Sequence, residues 1–201
     1  GRASIIAFTM PVWAVLLARV ILGEPLTKRK VISLILGLSG LAVLMGPDLI
    51  AVQRAPIGAL FMLAASLSWG AGTVLFKKFN WSASTTALAG WQLTFAGIPI
   101  AIGAFFVQDA PDWNIISVKA YFSLAYVLFF PMIFCQWAYL RSVRTFPASL
   151  AAISTLGVPV VGTYSSAFIL GEQLGFQELG ALILVCMALA TVLFLPNLSR
   201  G

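Results

Sequence analysis

One sequence motif occurs twice in this chain, and it limits the fold more than any other feature. Pro11-Val12 is followed, after eight intervening residues, by Ile21-Leu22-Gly23-Glu24, and Pro159-Val160 and Ile169-Leu170-Gly171-Glu172 repeat the pattern at an offset of 148 (159 − 11 and 172 − 24). Apolar runs often agree by chance, whereas a proline and a Gly-Glu pair rarely keep the same spacing by chance. The chain therefore contains an internal repeat.

The stretches around the two copies are long and apolar. Hydrophobic residues make up 61% of the 201 residues and charged residues 9%, against roughly one half and one quarter in a soluble globular domain. This composition indicates an all-α, polytopic bundle of transmembrane helices. Seven segments approach the roughly 20 residues that span a bilayer: Ala3 to Leu22, Val31 to Met45, Ile57 to Phe76, Thr86 to Val107, Tyr121 to Leu140, Ala148 to Leu170 and Leu179 to Leu195.

The distribution of Lys and Arg predicts the orientation. Because the connections are short, neighbouring helices are antiparallel and the connections lie alternately on the two sides of the membrane. One side receives Lys28, Arg29, Lys30, Lys77, Lys78, Arg141, Arg144 and Arg200, and the other receives Arg2, Arg54 and Lys119. The richer side is predicted to be cytoplasmic, together with the C-terminus, in a plasma membrane or bacterial inner membrane.

The two copies of the motif then face opposite sides of the membrane. The loop after Glu24 carries three basic residues, the loop after Glu172 carries none, and five helices separate these two loops. An odd number of helices inverts the second copy, which is the arrangement of inverted-repeat transporters. We expect residues 1–46 to end a first repeat, 47–56 to be a linker, 57–196 to form a second five-helix repeat, and 197–201 to be a cytoplasmic tail. If the repeats have equal length, about 90 residues and three helices precede Gly1.

These residues resemble a known family. Pro-Val, an apolar stretch, Leu-Gly-Glu and a helix rich in small residues (Gly37-Leu38-Ser39-Gly40) are similar to the end of an EamA domain, the five-helix repeat of the drug/metabolite transporter superfamily. Ser68-Trp69-Gly70 and Tyr139-Leu140-Arg141 resemble parts of the same family's sixth and eighth helices. The resemblance implies ten helices, cytoplasmic termini and transport of a small polar or amphipathic metabolite, for which we expect export by alternating access.

Other functions are disfavoured by residue content. The basic residues form no face with interleaved aromatics, so a nucleic-acid partner is not expected. His is absent and the two cysteines lie in apolar runs, so we expect no metal site and no cofactor. A membrane enzyme needs converging His, Asp, Glu or Cys residues, which the sequence does not offer. A scaffold or receptor that does not transport remains an alternative on the same fold.

Polar residues inside the apolar spans are candidates for a solute cavity, because they are costly in lipid. Ser66, Trp69, Gly70 and Thr73 share one helix face, which either packs through the small pair Ser66 and Gly70 or lines a cavity through Trp69 and Thr73. In a later span, Gln136 and Tyr139 share a face, and Gln136 is either an interhelical clamp or a solute contact. For Gln92, an interhelical hydrogen bond is favoured.

Four prolines are predicted near the centres of their helices: Pro11, Pro99, Pro131 and Pro159. Each lacks an N–H and frees the carbonyl four residues earlier, which is Thr155 in the case of Pro159. Such breaks are either static kinks or hinges beside a central site. We therefore add Thr155 and Pro159 to the cavity candidates and treat all four prolines as hinge candidates.

Glu24 and Glu172 each follow the end of a helix and precede the next one. They are interpreted either as caps of the following helix or as gating contacts between the repeats. No Asp or Glu lies deep within a span. If a proton couples transport through a buried carboxylate, that residue belongs to the expected upstream helices. The sequence does not indicate the substrate, the coupling ion or the oligomeric state.

Overall fold

The computed structural model describes residues 6–44, 56–107, 117–170 and 175–193. All regular secondary structure in these ranges is helical, which confirms the predicted all-α class. The chain divides into two compact units, one made of residues 1–79 with 146–201 and the other of residues 80–145. The second unit lies within residues 57–196, the predicted second repeat, and the division of the chain into repeats stays a prediction.

The first unit contains six described helices, three on each side of the second unit in the chain. They are α1 (Met10–Ile21), α2 (Lys28–Leu44), α3 (Pro56–Lys78), α7 (Ala148–Ser154), α8 (Gly157–Leu170) and α9 (Phe176–Leu193). The second unit contains α4 (Thr85–Val107) and then one long helical segment. That segment consists of α5 (Val118–Val127), a π-helix (Leu128–Cys135) and α6 (Gln136–Thr145).

Within the described ranges, five of the seven predicted spans have the length and hydropathy of a membrane-crossing helix. They are Ile57–Lys78, Thr85–Phe106, Val118–Thr145, Ala148–Ile169 and Phe176–Leu193. The described parts of the other two are shorter, since α1 has 12 residues and α2 has 17. The protein is therefore an integral membrane protein.

The most extensive packing between described helices of the first unit joins α2 to α9. A Cβ added to Gly40 would lie 2.9 Å from Val185 Cγ2 and 3.1 Å from the Ala181 carbonyl oxygen. On the same pair of helices, buried Ser33 donates its hydroxyl to the Ala188 carbonyl at 2.6 Å. Small residues and an interhelical hydrogen bond thus bring the two backbones together, as is usual between helices in lipid.

Helix α2 begins three residues earlier than predicted. The Thr27 hydroxyl accepts a hydrogen bond from the Lys30 N–H at 3.3 Å, which satisfies a donor in the first helical turn. Lys28, Arg29 and Lys30 were predicted to lie in a loop but instead form this first turn. Hydropathy placed the boundary too late because the cap, and not the apolar run, determines where the helix starts.

Candidate functional site

The helix is interrupted immediately before α1. Ile6 and Ala7 are helical, Phe8 and Thr9 form a turn, and the helix restarts at Met10. Pro11 therefore occupies the first turn of α1, and the prediction that it lies near the centre of a continuous helix is wrong. Proline is well accommodated in a first turn, because the N–H that it lacks would have no partner within the helix there.

A second break interrupts the predicted helix from Ala148 to Leu170. Helix α7 ends at Ser154, Thr155 and Leu156 form a turn, and α8 begins at Gly157. Pro159 is the third residue of α8, so it too lies in a first turn. The cavity candidate Thr155 forms the break itself and is half-buried.

The two breaks share one hydrogen-bonding pattern. In each, a threonine donates from its N–H and its Oγ1 to the carbonyl three residues earlier, and its own carbonyl accepts from the N–H three residues later. The three distances are 3.1, 2.7 and 3.0 Å at Thr9, and they are again 3.1, 2.7 and 3.0 Å at Thr155. The threonines are 146 residues apart (155 − 9) and the prolines 148, so the breaks correspond with a shift of two residues.

Helix α3 packs closely beside the first break. The Thr9 and Ser66 hydroxyl oxygens lie 2.9 Å apart, and Ser66 is buried. A Cβ added to Gly70 would lie 3.0 Å from the Ala14 nitrogen and from Trp13 Cβ. Ser66 and Gly70 thus provide the helix contact that the sequence left as one of two alternatives.

Trp69 and Thr73, the cavity candidates on α3, have different surroundings. Trp69 is 43% exposed, whereas Thr73 is 3% exposed and donates its hydroxyl to the Trp69 carbonyl at 3.0 Å. Of the two, only the Trp69 side chain offers substantial surface to a solute in this conformation.

The second break is held by an apolar contact. Leu156 is fully buried and packs with Val15 and Ile153. A Cβ added to Gly37 of α2 would lie only 2.5 Å from Leu156 Cδ1, so the side chain occupies space that exists because residue 37 is glycine. The leucine at this break thereby fixes its position against α2.

Gly23 and Glu24 form a corner at the end of α1. Gly23 has φ of +69°, in the left-handed region that favours glycine. This turn allows the Glu24 N–H to donate to the Ala18 carbonyl at 3.2 Å. The Gly-Glu pair of the repeated motif therefore ends the helix with its glycine and turns the glutamate away from the helix axis.

The Glu24 carboxylate caps α7. The Ala148 N–H donates to Oε1 at 2.7 Å, and the Ser149 N–H donates to Oε2 at 3.3 Å. Oε2 also accepts from the Ser149 hydroxyl and from Lys30 Nζ, the latter at 3.2 Å. Glu24 thus caps α7, far along the chain, whereas the sequence offered a cap of the following helix as one alternative; a gating contact, the other alternative, stays a prediction. Glu172 lies outside the described residues.

The environment of Glu24 keeps its carboxylate ionised. Burial of the side chain raises the pKa, but hydrogen bonds from Ser149, Ala148 and Lys30, together with the charge of Lys30, outweigh it and leave the pKa below its ordinary value. An adjacent cavity of about 340 Å³ has both polar and apolar lining residues. They are Glu24, Pro25, Thr27, Arg29, Lys30, Pro147, Leu150 and Val192.

In the second unit, Pro131 lies within the eight-residue π-helix. The main chain stays helical on both sides of this segment. Proline cannot donate to a carbonyl four residues earlier and its ring clashes with that carbonyl, so a wider helix accommodates it. Pro99 lies within α4, which runs without interruption from Thr85 to Val107. The structure thus shows breaks beside two of the four hinge candidates, a π-helix at the third and a continuous α-helix at the fourth.

Gln136 is the first residue after the π-helix. Its Nε2 donates to Gln92 Oε1 at 3.2 Å, which joins α6 to α4. Tyr139, the other candidate on α6, is half-buried. Near the end of the same helix, Arg144 donates to the Thr85 hydroxyl at 2.9 Å and to the carbonyls of Trp81 and Ala83 at 3.0 and 2.9 Å.

Sequence reasoning missed three polar groups of the first unit. Thr9 was overlooked although it lies two residues before a repeated proline, a position that could have drawn attention to it. The indole nitrogen of Trp13 and the hydroxyl of Tyr164 are buried without a hydrogen-bond partner among the described residues. Tyr164 also lines a cavity of about 210 Å³ together with Gly175, Phe176 and Leu179.

Comparison with known proteins agrees with this helical architecture. A crystal structure of another protein superimposes with a TM-score of 0.81 at 19% identity, covering 97% of this chain and 69% of that one. An uncharacterized transporter of Bacillus subtilis, YoaV, is 27% identical over 192 residues, which cover 92% of this chain and 64% of the relative. A probable amino-acid metabolite efflux pump of Escherichia coli is 28% identical over 193 residues, with the same coverage.

The chain spans less than two thirds of the length of these two relatives. The model of the EamA-like transporter family matches residues 1–46 and 56–194, which is most of the sequence. This match covers both copies of the motif and all the described helices, and the protein therefore belongs to the EamA-like transporter family.

Proposed function

We propose that this protein exports a small polar or amphipathic metabolite across a cell membrane by alternating access. Membership of a transporter family and helices of membrane-spanning length support movement of a solute through the bilayer. Two relatives are named as probable amino-acid metabolite efflux pumps, which makes amino acids and their derivatives the first solutes to test.

The observation that carries the mechanism is the matched pair of breaks at Thr9 and Thr155. Each break satisfies its backbone groups with hydrogen bonds to residues three positions away, within the same stretch of chain. Such bonds need not be lost when the flanking helices change their relative angle. The breaks can therefore act as hinges, about which α1 and α8 tilt as rigid bodies.

Glu24 supplies a reversible contact for such a movement. Its carboxylate joins the corner between α1 and α2 to the start of α7 through hydrogen bonds from Ala148 and Ser149. Beside these bonds, Ala18 and Ala148 pack together with Val74. Water can replace the hydrogen-bonding partners of the carboxylate when the elements separate. In this proposal Glu24 closes the side of the membrane on which its loop lies, and that side is the cytoplasm by the positive-inside rule.

The proposed solute contacts in the first unit are Trp69 and Thr155, with Pro159 shaping the wall beside them. Thr73 is buried in this conformation, and we propose that it contacts the solute only in the opposite one. Tyr139 and Gln136 are the corresponding candidates in the second unit. The only acidic residue in the described helices is Glu178, in the first turn of α9. If a proton drives export, we propose that its carboxylate lies outside these helices.

Accessibility of Thr155→Cys tests the alternating mechanism. In membranes of known sidedness, a charged methanethiosulfonate is applied from each side, with and without an amino-acid mixture, in a background free of other cysteines. We expect the side of faster modification to change when the mixture is added, while Thr191→Cys on α9 does not respond. A rate at Thr155→Cys that stays the same from both sides under both conditions would contradict alternating access.

A further inference from the structure

Two polar contacts join the antiparallel helices α4 and α6. One is the contact of Arg144 with Thr85, and the other is the contact of Gln136 with Gln92. Gln92 lies seven residues into α4, about 10 Å along the helix at 1.5 Å per residue. The amide pair is therefore inside the apolar part of the span from Thr85 to Phe106, whereas the arginine lies at its end.

The amide pair leaves most of its hydrogen-bonding capacity unused. Each primary amide has two N–H donors and one carbonyl acceptor. The single bond between Gln136 and Gln92 uses one donor and one acceptor, and the remaining groups have no partner among the described residues. Arg144, in contrast, donates to the Thr85 hydroxyl at the start of α4 and to two carbonyls in the loop before that helix. Unused amide groups are costly against lipid tails, so they require another partner.

The π-helix influences the direction in which Gln136 faces. It ends at Cys135, directly before Gln136, and an i to i+5 helix rotates every later side chain relative to an α-helix of the same length. The rotation therefore contributes to the direction in which Gln136 faces, and in that direction its side chain reaches Gln92. Helical segments of this kind are rare and occur frequently at functional sites, and here Pro131 lies within the segment and favours it.

We propose that Gln92 and Gln136 form a hydrogen-bonding station for an uncharged polar group of the transported solute, such as an amide, hydroxyl or carbonyl. This inference rests on the proposed transport function and adds the chemistry of the group that is recognised. Helix α4 contains no charged residue, and none lies between Lys119 and Arg141. A charged group of the solute would find no counterion in these spans, while a neutral group can use the free N–H and carbonyl groups.

The first test asks whether water reaches the pair. Cys135 and Cys186, which are both exposed, are replaced by serine, and cysteine is then introduced singly at Gln92, Gln136 or Thr94. Thr94 is the matched control, because it is exposed on α4 at nearly the same depth but lies about 200° around the helix from Gln92. The probe is a charged methanethiosulfonate, which requires an ionised thiol and therefore water.

We expect the cysteines at positions 92 and 136 to react at least about tenfold faster than the cysteine at position 94. Equally slow reaction at all three positions would overturn the proposal, since the pair would then face lipid or packed protein. Equally fast reaction would overturn it as well, because the whole circumference of the helix would be wet. These outcomes are independent of whether the protein transports any solute.

The second test asks whether the pair recognises the solute. In proteoliposomes of the full-length protein, uptake of glutamine is compared with uptake of its charged isostere glutamate, for the wild type and for Gln136→Leu. We expect a preference for glutamine, and a roughly three- to tenfold rise in KM for Gln136→Leu, as for loss of one neutral hydrogen bond. Thr94→Val should leave KM unchanged.

Equal use of glutamine and glutamate, or an unchanged KM in Gln136→Leu, would contradict the recognition role while leaving transport itself intact. Absence of flux in the wild type for every amino acid would contradict the proposed function instead. The two failures are thus distinguishable.

Discussion

The backbone N–H of Ala148 donates a hydrogen bond to the Glu24 carboxylate at 2.7 Å, although 124 residues separate the two in the chain. The glutamate ends the first copy of the repeated motif and the alanine begins α7. One side chain therefore completes a helix start that Pro147, at the N-cap position, leaves without a side-chain cap. This contact couples the two halves of the first unit, and several consequences can be measured.

Removal of the Glu24 carboxylate should destabilise the protein. Glu24→Ala loses the hydrogen bonds to Ala148 and Ser149 and leaves Lys30 without its ion partner, so the free energy of unfolding should fall by about 2 kcal/mol. Denaturation in detergent, followed by circular dichroism, measures the change. Glu178→Ala is the control, because Glu178 makes only a local bond to the Gly175 N–H at 2.8 Å, and it should cost about 1 kcal/mol or less. An equal cost for the two variants would contradict this account of the cap.

The contribution of Glu24 should depend on pH. Its pKa in the folded protein lies below the ordinary value of 4.5, so folding favours the ionised form. The stabilisation is therefore complete above pH 4.5 and is lost as the pH falls through the lowered pKa. The difference in thermal midpoint between the wild type and Glu24→Gln should be constant from pH 6 to pH 8 and should shrink below about pH 4. A difference in thermal midpoint that grows on acidification would contradict a lowered pKa for Glu24.

Glycines in the described helices should respond to substitution according to their neighbours. In Gly40→Ala the new methyl group would meet the Ala181 carbonyl and Leu184 Cβ at 3.1 Å, so α2 and α9 must separate. We expect a loss of about 1–3 kcal/mol in unfolding free energy. In Gly90→Ala the methyl group meets nothing within 4 Å, and the higher helix propensity of alanine should leave stability unchanged or raise it by up to about 1 kcal/mol. Equal losses in the two variants would contradict the close packing at Gly40.

Pro159→Ala should impair transport without preventing membrane insertion. Alanine restores an N–H that can donate to the Thr155 carbonyl four residues earlier, which favours a continuous helix through the break. A hydrogen bond worth about 1 kcal/mol shifts the equilibrium of the hinge about fivefold, so the initial rate of flux should fall by roughly that factor. Pro99→Ala is the control. Because α4 is unbroken around Pro99, the flux of this variant should equal that of the wild type. Flux of Pro159→Ala equal to that of the wild type would mean that the break is static.

The sequence predicted the class of fold and the approximate position of most helices, because hydropathy and length determine which segments can span a membrane. It located both breaks through the repeated prolines but misjudged their form. The hydroxyl groups of Thr9 and Thr155 compete with helical hydrogen bonds, and this competition sets the position of each turn. Hydropathy does not register that effect.

The contacts of the candidate site were less predictable. Nothing in the periodicity of the chain connects Glu24 with Ala148, because the pairing depends on how distant helices pack. The bond between Gln92 and Gln136 depends on the rotation introduced by the π-helix, and proline alone does not distinguish a π-helix from a kink. By contrast, the small pair Ser66 and Gly70 was correctly identified as one of two alternatives from its spacing.

Flux through the full-length protein tests the central claim most directly. Liposomes that contain the purified protein are loaded with an unlabelled amino acid or amphipathic metabolite. Entry of the same radiolabelled compound is then compared with entry into protein-free liposomes. We predict saturable, protein-dependent counterflow for at least one solute, with lower rates for Pro159→Ala than for Pro99→Ala. Absence of protein-dependent counterflow for every amino acid and amphipathic metabolite in the panel would contradict the account of this protein as a metabolite transporter.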